Sequence, residues 1–156
     1  MTFIAGRYTA TWNALATGQV ADGFRLTPQI FMRNITGDAG GDAVQDAVYR
    51  GMGIEIGFTI IEYDGAAVQT LIWPASATIY DMGVLGRLAV AGSMAKQLIL
   101  TRVSSSTTAT PASLTLPATM LKENYPVNLL MGNDLKEVPL MLRVFPNSSG
   151  VYGTQT

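Results

Sequence analysis

Alternation with a period of two is the feature that limits this chain most. In residues 48–63, VYRGMGIEIGFTIIEY, Ile54, Ile56, Phe58 and Ile60 fall on one side, and Glu55, Gly57 and Thr59 fall on the other. A helix would scatter these residues round its circumference, whereas a strand sorts them onto two faces. RYTATWN (7–13) repeats the pattern, with Tyr8, Ala10 and Trp12 opposite Thr9 and Thr11. VPLMLRVFP (138–146) repeats it again through Val138, Leu140, Leu142 and Val144.

GFRLTPQIFMRN (23–34) is extended in style, with Phe24 and Leu26 opposite Arg25 and Thr27. Pro28 cannot donate to a ladder, so this strand belongs at a sheet edge or a bulge. KQLILTRV (96–103) and SLTLPATML (113–121) read as a hairpin with a long polar tip, SSSTTATPA. GRLAVAG (86–92) and YPVNLLM (125–131) are further strand candidates, the latter set off from the last strand by GNDLKE. DGAAVQTLIW (64–73) allows an Asp-Gly hairpin turn, but helical spacing of Val68, Leu71 and Ile72 favours a short helix. Asp64 would cap it and Pro74 would stop it. NSSGVYGTQT (147–156) has turn chemistry and is expected to fray. The expected fold is mainly β: one antiparallel sandwich or barrel domain over residues 1–156, with one short flanking helix and a long inter-strand loop at 34–50.

Composition excludes much chemistry. The 156 residues contain no cysteine, which removes disulfides, thiolate metal sites and thiol nucleophiles. They contain no histidine, which removes the commonest general base and the commonest metal ligand. A net charge of −1 gives no reason for electrostatic capture of nucleic acid or anionic lipid. No apolar run approaches the roughly 20 residues of a membrane-spanning helix, and residues 1–12 do not resemble a signal peptide. A soluble protein made in a cytoplasm is expected. Charged residues make up 13%, about half the usual ~25%. Either other protein copies cover much of the surface, or serine and threonine face the solvent in place of charge.

The stretch NITGDAGGDAVQDAVYRG (34–51) departs from the rest. Asp38, Asp42 and Asp46 stand four apart among Gly37, Gly40 and Gly41, with no basic residue between Arg33 and Arg50. An EF-hand needs ligands at positions 1, 3 and 5 and a glutamate at 12, which this spacing does not supply. A phosphate cradle needs G-x-x-x-x-G-K and positive potential, and this segment is acidic. No metal and no cofactor is expected. Carboxylate pairs drawn from Glu55, Glu62, Asp64 and Asp81 are the surviving enzymatic idea. With 11 acidic residues, solvated or salt-bridged carboxylates are the better account, and no enzymatic activity is expected. Trp12, Trp73, Tyr8 and Tyr63 suggest a carbohydrate platform, but the tryptophans lie in core patterns. What remains for 34–51 is a long flexible connection that reaches a neighbouring subunit, with Asp38, Gly40, Gly41, Asp42, Asp46 and Arg50 as its contact residues.

The order of these features resembles the tail tube (major tail) proteins of bacteriophages. FIAGRYTATWNALATGQVADGFRLT (3–27) looks like their opening strands. ITGDAGGDAVQDAVYRG, IEIGFTIIEYD and the short helix look like their long loop, long strand and helix, and EVPLMLRVFPNSSG (137–150) is similar to their last core strand. The resemblance is one of pattern across most of the chain. It implies a structural virion protein forming stacked hexameric rings, with hairpins lining a bore through which DNA passes without specific binding. It implies as partners other copies of the chain and the tape measure, tail terminator and distal tail or baseplate proteins. It places the protein in the virion tail after assembly in the host cytoplasm, with no membrane insertion. Within that resemblance, Glu55, Gly57 and Thr59 are the candidates for the lumen-facing strand. A capsid-decorating or head–tail joining protein is the alternative, and a carboxylate-based hydrolase a more distant one.

Overall fold

The computed structural model describes residues 7–61, 66–73, 88–91, 94–104, 111–129 and 137–156. The fold is mainly antiparallel β with one short helix. Its strands are β1 (Arg7–Trp12), β2 (Leu15–Ala16), β3 (Val20–Thr36), β4 (Val44–Ile60), β5 (Lys96–Ser104), β6 (Ser113–Leu121), β7 (Val138–Phe145) and β8 (Thr154–Gln155), and the helix α1 is Ala66–Ile72. They form one sheet in the order β2-β1-β5-β6-β7-β4-β3, with β8 also pairing β6.

That order forces the sheet to curl. β2 ends one side at Ala16, and β3 begins the other side at Val20. Laid flat, seven strands at ~4.8 Å spacing would hold those edges roughly 29 Å apart. The four Cα steps from Ala16 to Val20 reach at most ~14 Å. The sheet therefore rolls until its two edges approach each other. One core fills the concave side: Ala10 and Trp12 of β1 pack in the same cluster as Ile56, Phe58 and Ile60 of β4 and Leu98, Leu116 and Leu140 between them. Val68, Leu71 and Ile72 of α1 are buried in it, as their helical spacing predicts. Fully burying a side chain of this size contributes roughly 1.5–3 kcal/mol.

Alternation correctly identified the inward residues. Val138, Leu140, Leu142 and Val144 are all buried, and so are Ile56, Phe58 and Ile60. β3 is an edge strand, which accommodates Pro28. Trp12 lies in the core, its Nε1 donating to Thr119 Oγ1 at 3.1 Å. Trp73 packs against the core, and the half-buried Tyr8 donates its hydroxyl to the Pro111 carbonyl at 2.7 Å.

Four expectations are corrected. The long flexible loop at 34–50 is mostly strand: β3 runs to Thr36 and β4 begins at Val44, and the two stay paired, across a bulge, out to Ile35 with Asp46. The glycine and aspartate content hid this, because a ribbon exposed on both faces needs no apolar alternation. The residues 147–156 are fastened rather than frayed. Asn147 Oδ1 accepts the N–H groups of Ser149 and Val151, and Thr154–Gln155 pairs with Leu114 and Thr115. Residues 125–129 are irregular, with Pro126 interrupting any ladder. Residues 88–91 form a turn, closed by hydrogen bonds from Met94 and Ala95 to the Ala89 carbonyl. Glu62, Tyr63, Asp64 and Asp81 lie outside the described residues.

Candidate subunit interface

β4 pairs with β7 only between Ile54 and Ile60. Beyond Ile54 its single neighbour among the described residues is β3, and the pair continues as a two-stranded ribbon from Gln29 and Gly53 out to Thr36 and Val44. Eight residues of strand make this arm roughly 25 Å long. A short 3-10 turn, Asp38–Gly40, closes its tip. Gly41 there adopts φ 61°, the left-handed region that glycine enters without penalty. The Gln45 side chain folds back over the tip, where a Cβ on Gly37 would come within 2.8 Å of its Oε1. The register slips between Phe31 and Met32, leaving Arg50 as the extra residue of a bulge, and again between Ile35 and Thr36, leaving Gln45.

The arm carries apolar side chains on both faces. Ile30, Met32 and Tyr49 continue the core-facing side of the sheet, while Phe31, Ile35 and Val48 lie on the opposite side. These six and Val44 are each 45% to 58% exposed. Their combined exposed surface is on the order of 700 Å², close to what one partner contributes to a standard-size interface. Among the described residues, no strand pairs with either long edge of the arm, which leaves rows of backbone N–H and C=O groups open. A two-stranded ribbon in water is marginally stable alone, and open edges template pairing with another chain.

Of the six loop residues picked out from sequence, Asp38, Gly40, Gly41 and Asp42 sit at or beside the tip. Asp46 and Arg50 belong to β4. The three aspartates do not converge: Asp46 Oδ1 accepts the Ala47 N–H at 2.7 Å, within its own strand. Among the described residues no three acidic groups gather as a metal site. The sequence reading missed Ile30, Phe31 and Met32. Three consecutive apolar residues beside Arg33 and Asn34 break the one-face-in pattern, and that break was the available signal.

Glu55, Gly57 and Thr59 lie on the sheet face away from the core and from α1. All three are half-buried. Met141 of β7 covers Gly57, its Cε 3.4 Å from where a Cβ would stand. Glu55 is cross-strand from Thr27 and Arg143, and its carboxylate meets Lys122 Nζ at 2.8 Å. Arg143 in turn binds Glu123 at 2.6 Å. These four charges cancel in pairs, and Arg25, cross-strand from Gly57 on the same face, adds a fifth. Thr9, Thr11, Thr101 and Thr115 share the same side of the sheet, as their register opposite one another requires. A groove of about 350 Å³ lies at the root of the arm, among Phe31, Gly53, Glu55, Arg143, Phe145 and Tyr152. No described helix is long and apolar enough to cross a membrane. No protein-family model matches the chain, and no curated protein matches it.

Proposed function

We propose that this protein is a structural subunit that assembles with copies of itself into stacked rings, forming the tail tube of a bacteriophage and a conduit for DNA. The arm carries this reading: an apolar, open-edged ribbon some 25 Å long, of a kind that is only marginally stable in water on its own. A ring of identical subunits covers such arms and pairs their edges, and head-to-tail stacking propagates without closing. It also accounts for a surface with half the usual charge.

The hydroxyl-lined face bearing Glu55, Gly57 and Thr59 suits a bore. Each phosphate held by a cation adds affinity and slows passage. Here Lys122 and Arg143 are each neutralised by a glutamate, and Arg25 opposite Gly57 is a cation on this face outside those two pairs. No catalytic step is assigned to the chain, and its partners in this reading are its own copies and the proteins at the two ends of the tail.

Replacing residues 31–51 by Asn-Gly tests the proposal. Ile30 and Met52 are cross-strand partners, so a two-residue turn can join them. The shortened chain is expected to stay folded, with unchanged core circular dichroism, and to remain dispersed at concentrations where the intact chain forms rings or tubes under electron microscopy. Tubes from the shortened chain, or an intact chain that stays monomeric at every concentration, would overturn it.

A further inference from the structure

The arm is charged unevenly along its length. Its tip holds Asp38 and Asp42 and no cation. Its shaft holds Arg33, paired opposite Val48, and Arg50 in the bulge, with Arg25 nearer the root. Asp46 lies between the tip and Arg33 on the same face as Arg33. The ion pairs found among the described residues are Lys122–Glu55 and Arg143–Glu123, both on the body of the domain. Among the described residues, the arm's arginines and its two tip aspartates take part in no ion pair.

Two arms lying parallel and in register would set tip against tip and shaft against shaft. Like charges brought together across a desolvated contact select against that arrangement. An offset of about five residues, roughly 15 Å, moves Asp38 of one arm level with Arg33 of another. The exposed apolar residues are divided between the two faces of the arm, so one arm-on-arm contact covers one face and leaves the other for a further copy. We propose that the arm's partner is the arm of a second copy, seated out of register so that its Asp38–Asp42 tip lies against the Arg33 and Arg50 shaft. The inference rests on the self-assembly proposed above and supplies the rule that sets the stagger. It also neutralises two arginines that would otherwise grip phosphate in a conduit.

The test uses full-length protein and two independent readouts. Asp38→Lys with Asp42→Lys reverses the tip, and Arg33→Glu with Arg50→Glu reverses the shaft. All four side chains are exposed, so each variant is expected to melt like the original. Light scattering at low salt should show each reversed pair assembling at least tenfold less well, and all four substitutions together restoring assembly. For the second readout, Ala43→Cys marks the tip and Val48→Cys the shaft, in a chain with no cysteine of its own. Oxidising a mixture of the two variants should yield the mixed disulfide dimer in excess of either like pair. Assembly by either reversed variant at the original level, or no excess of the mixed dimer, would overturn the tip-on-shaft contact. Tubes without that contact would leave the proposed function standing. Mixed dimers that never build rings would support the contact and sink the tube.

Discussion

The Trp12 indole Nε1 donates to Thr119 Oγ1 at 3.1 Å, and the Thr119 hydroxyl donates onward to the Lys96 carbonyl at 2.9 Å. Both side chains are almost fully buried. The chain links β1 to β6 across β5 and satisfies each polar atom it takes from water. Thr119→Val preserves the shape but leaves the indole N–H without its acceptor. A loss of about 1–3 kcal/mol is expected in urea unfolding, with an unchanged m-value. No loss would mean that the indole finds another partner.

Ala14 is a point of avoidable strain. Asn13 and Ala14 form the two-residue turn between β1 and β2, with φ of 53° and 64°. Both values fit a type I′ turn, where glycine is favoured at the second position. Ala14→Gly should stabilise the fold by about 0.5–1 kcal/mol, the left-handed penalty exceeding the entropy glycine adds to the unfolded chain. A lower melting temperature in this variant would count against the turn assignment.

Gly153 holds the C-terminal segment against the sheet. A Cβ there would stand 2.7 Å from Leu116 Cδ2 and 2.9 Å from the Thr115 carbonyl oxygen. Gly153→Ala should push β8 off β6 at a cost of about 1–3 kcal/mol. Hydrogen exchange reads the effect directly: the Thr156 N–H, bonded to the Ser113 carbonyl, should lose protection while Leu140 and Leu142 keep theirs.

Glu55 is the residue through which the bore assignment can be tested. Glu55→Lys leaves Lys122 without its anion and adds a cation beside Arg143. Tubes of normal length are expected, with slower DNA passage whose deficit shrinks as salt rises. Ejection at the original rate would remove this face from the bore.

Legibility in the sequence followed burial. Ile56, Phe58, Ile60 and the four inward residues of β7 announced themselves, because one buried face imposes a period of two on the chain. α1 was legible for the parallel reason at helical spacing. The arm was not. Residues 34–50 looked like a loop because Asn34, Gly37, Asp38 and Asp46 have low strand propensity, and because two exposed faces impose no pattern. The ribbon is a local hairpin, Ile35 pairing with Asp46, but backbone hydrogen bonds leave no periodic side-chain signature in the sequence. Trp12 and Thr119 are hidden for a different reason: they stand 107 residues apart, and nothing local to either names the other.

By itself, then, the sequence determined that this chain folds as antiparallel β around an apolar face, with a helix over it and no cysteine or histidine chemistry. Those properties depend on side-chain type and on spacing along a single segment. Only the tertiary structure decided that the sheet rolls until Ala16 approaches Val20, that β4 outruns β7 at Ile54, and that Glu55 meets Lys122. Each of these depends on where distant segments stop pairing, a balance of backbone hydrogen bonds and packing that no single segment carries.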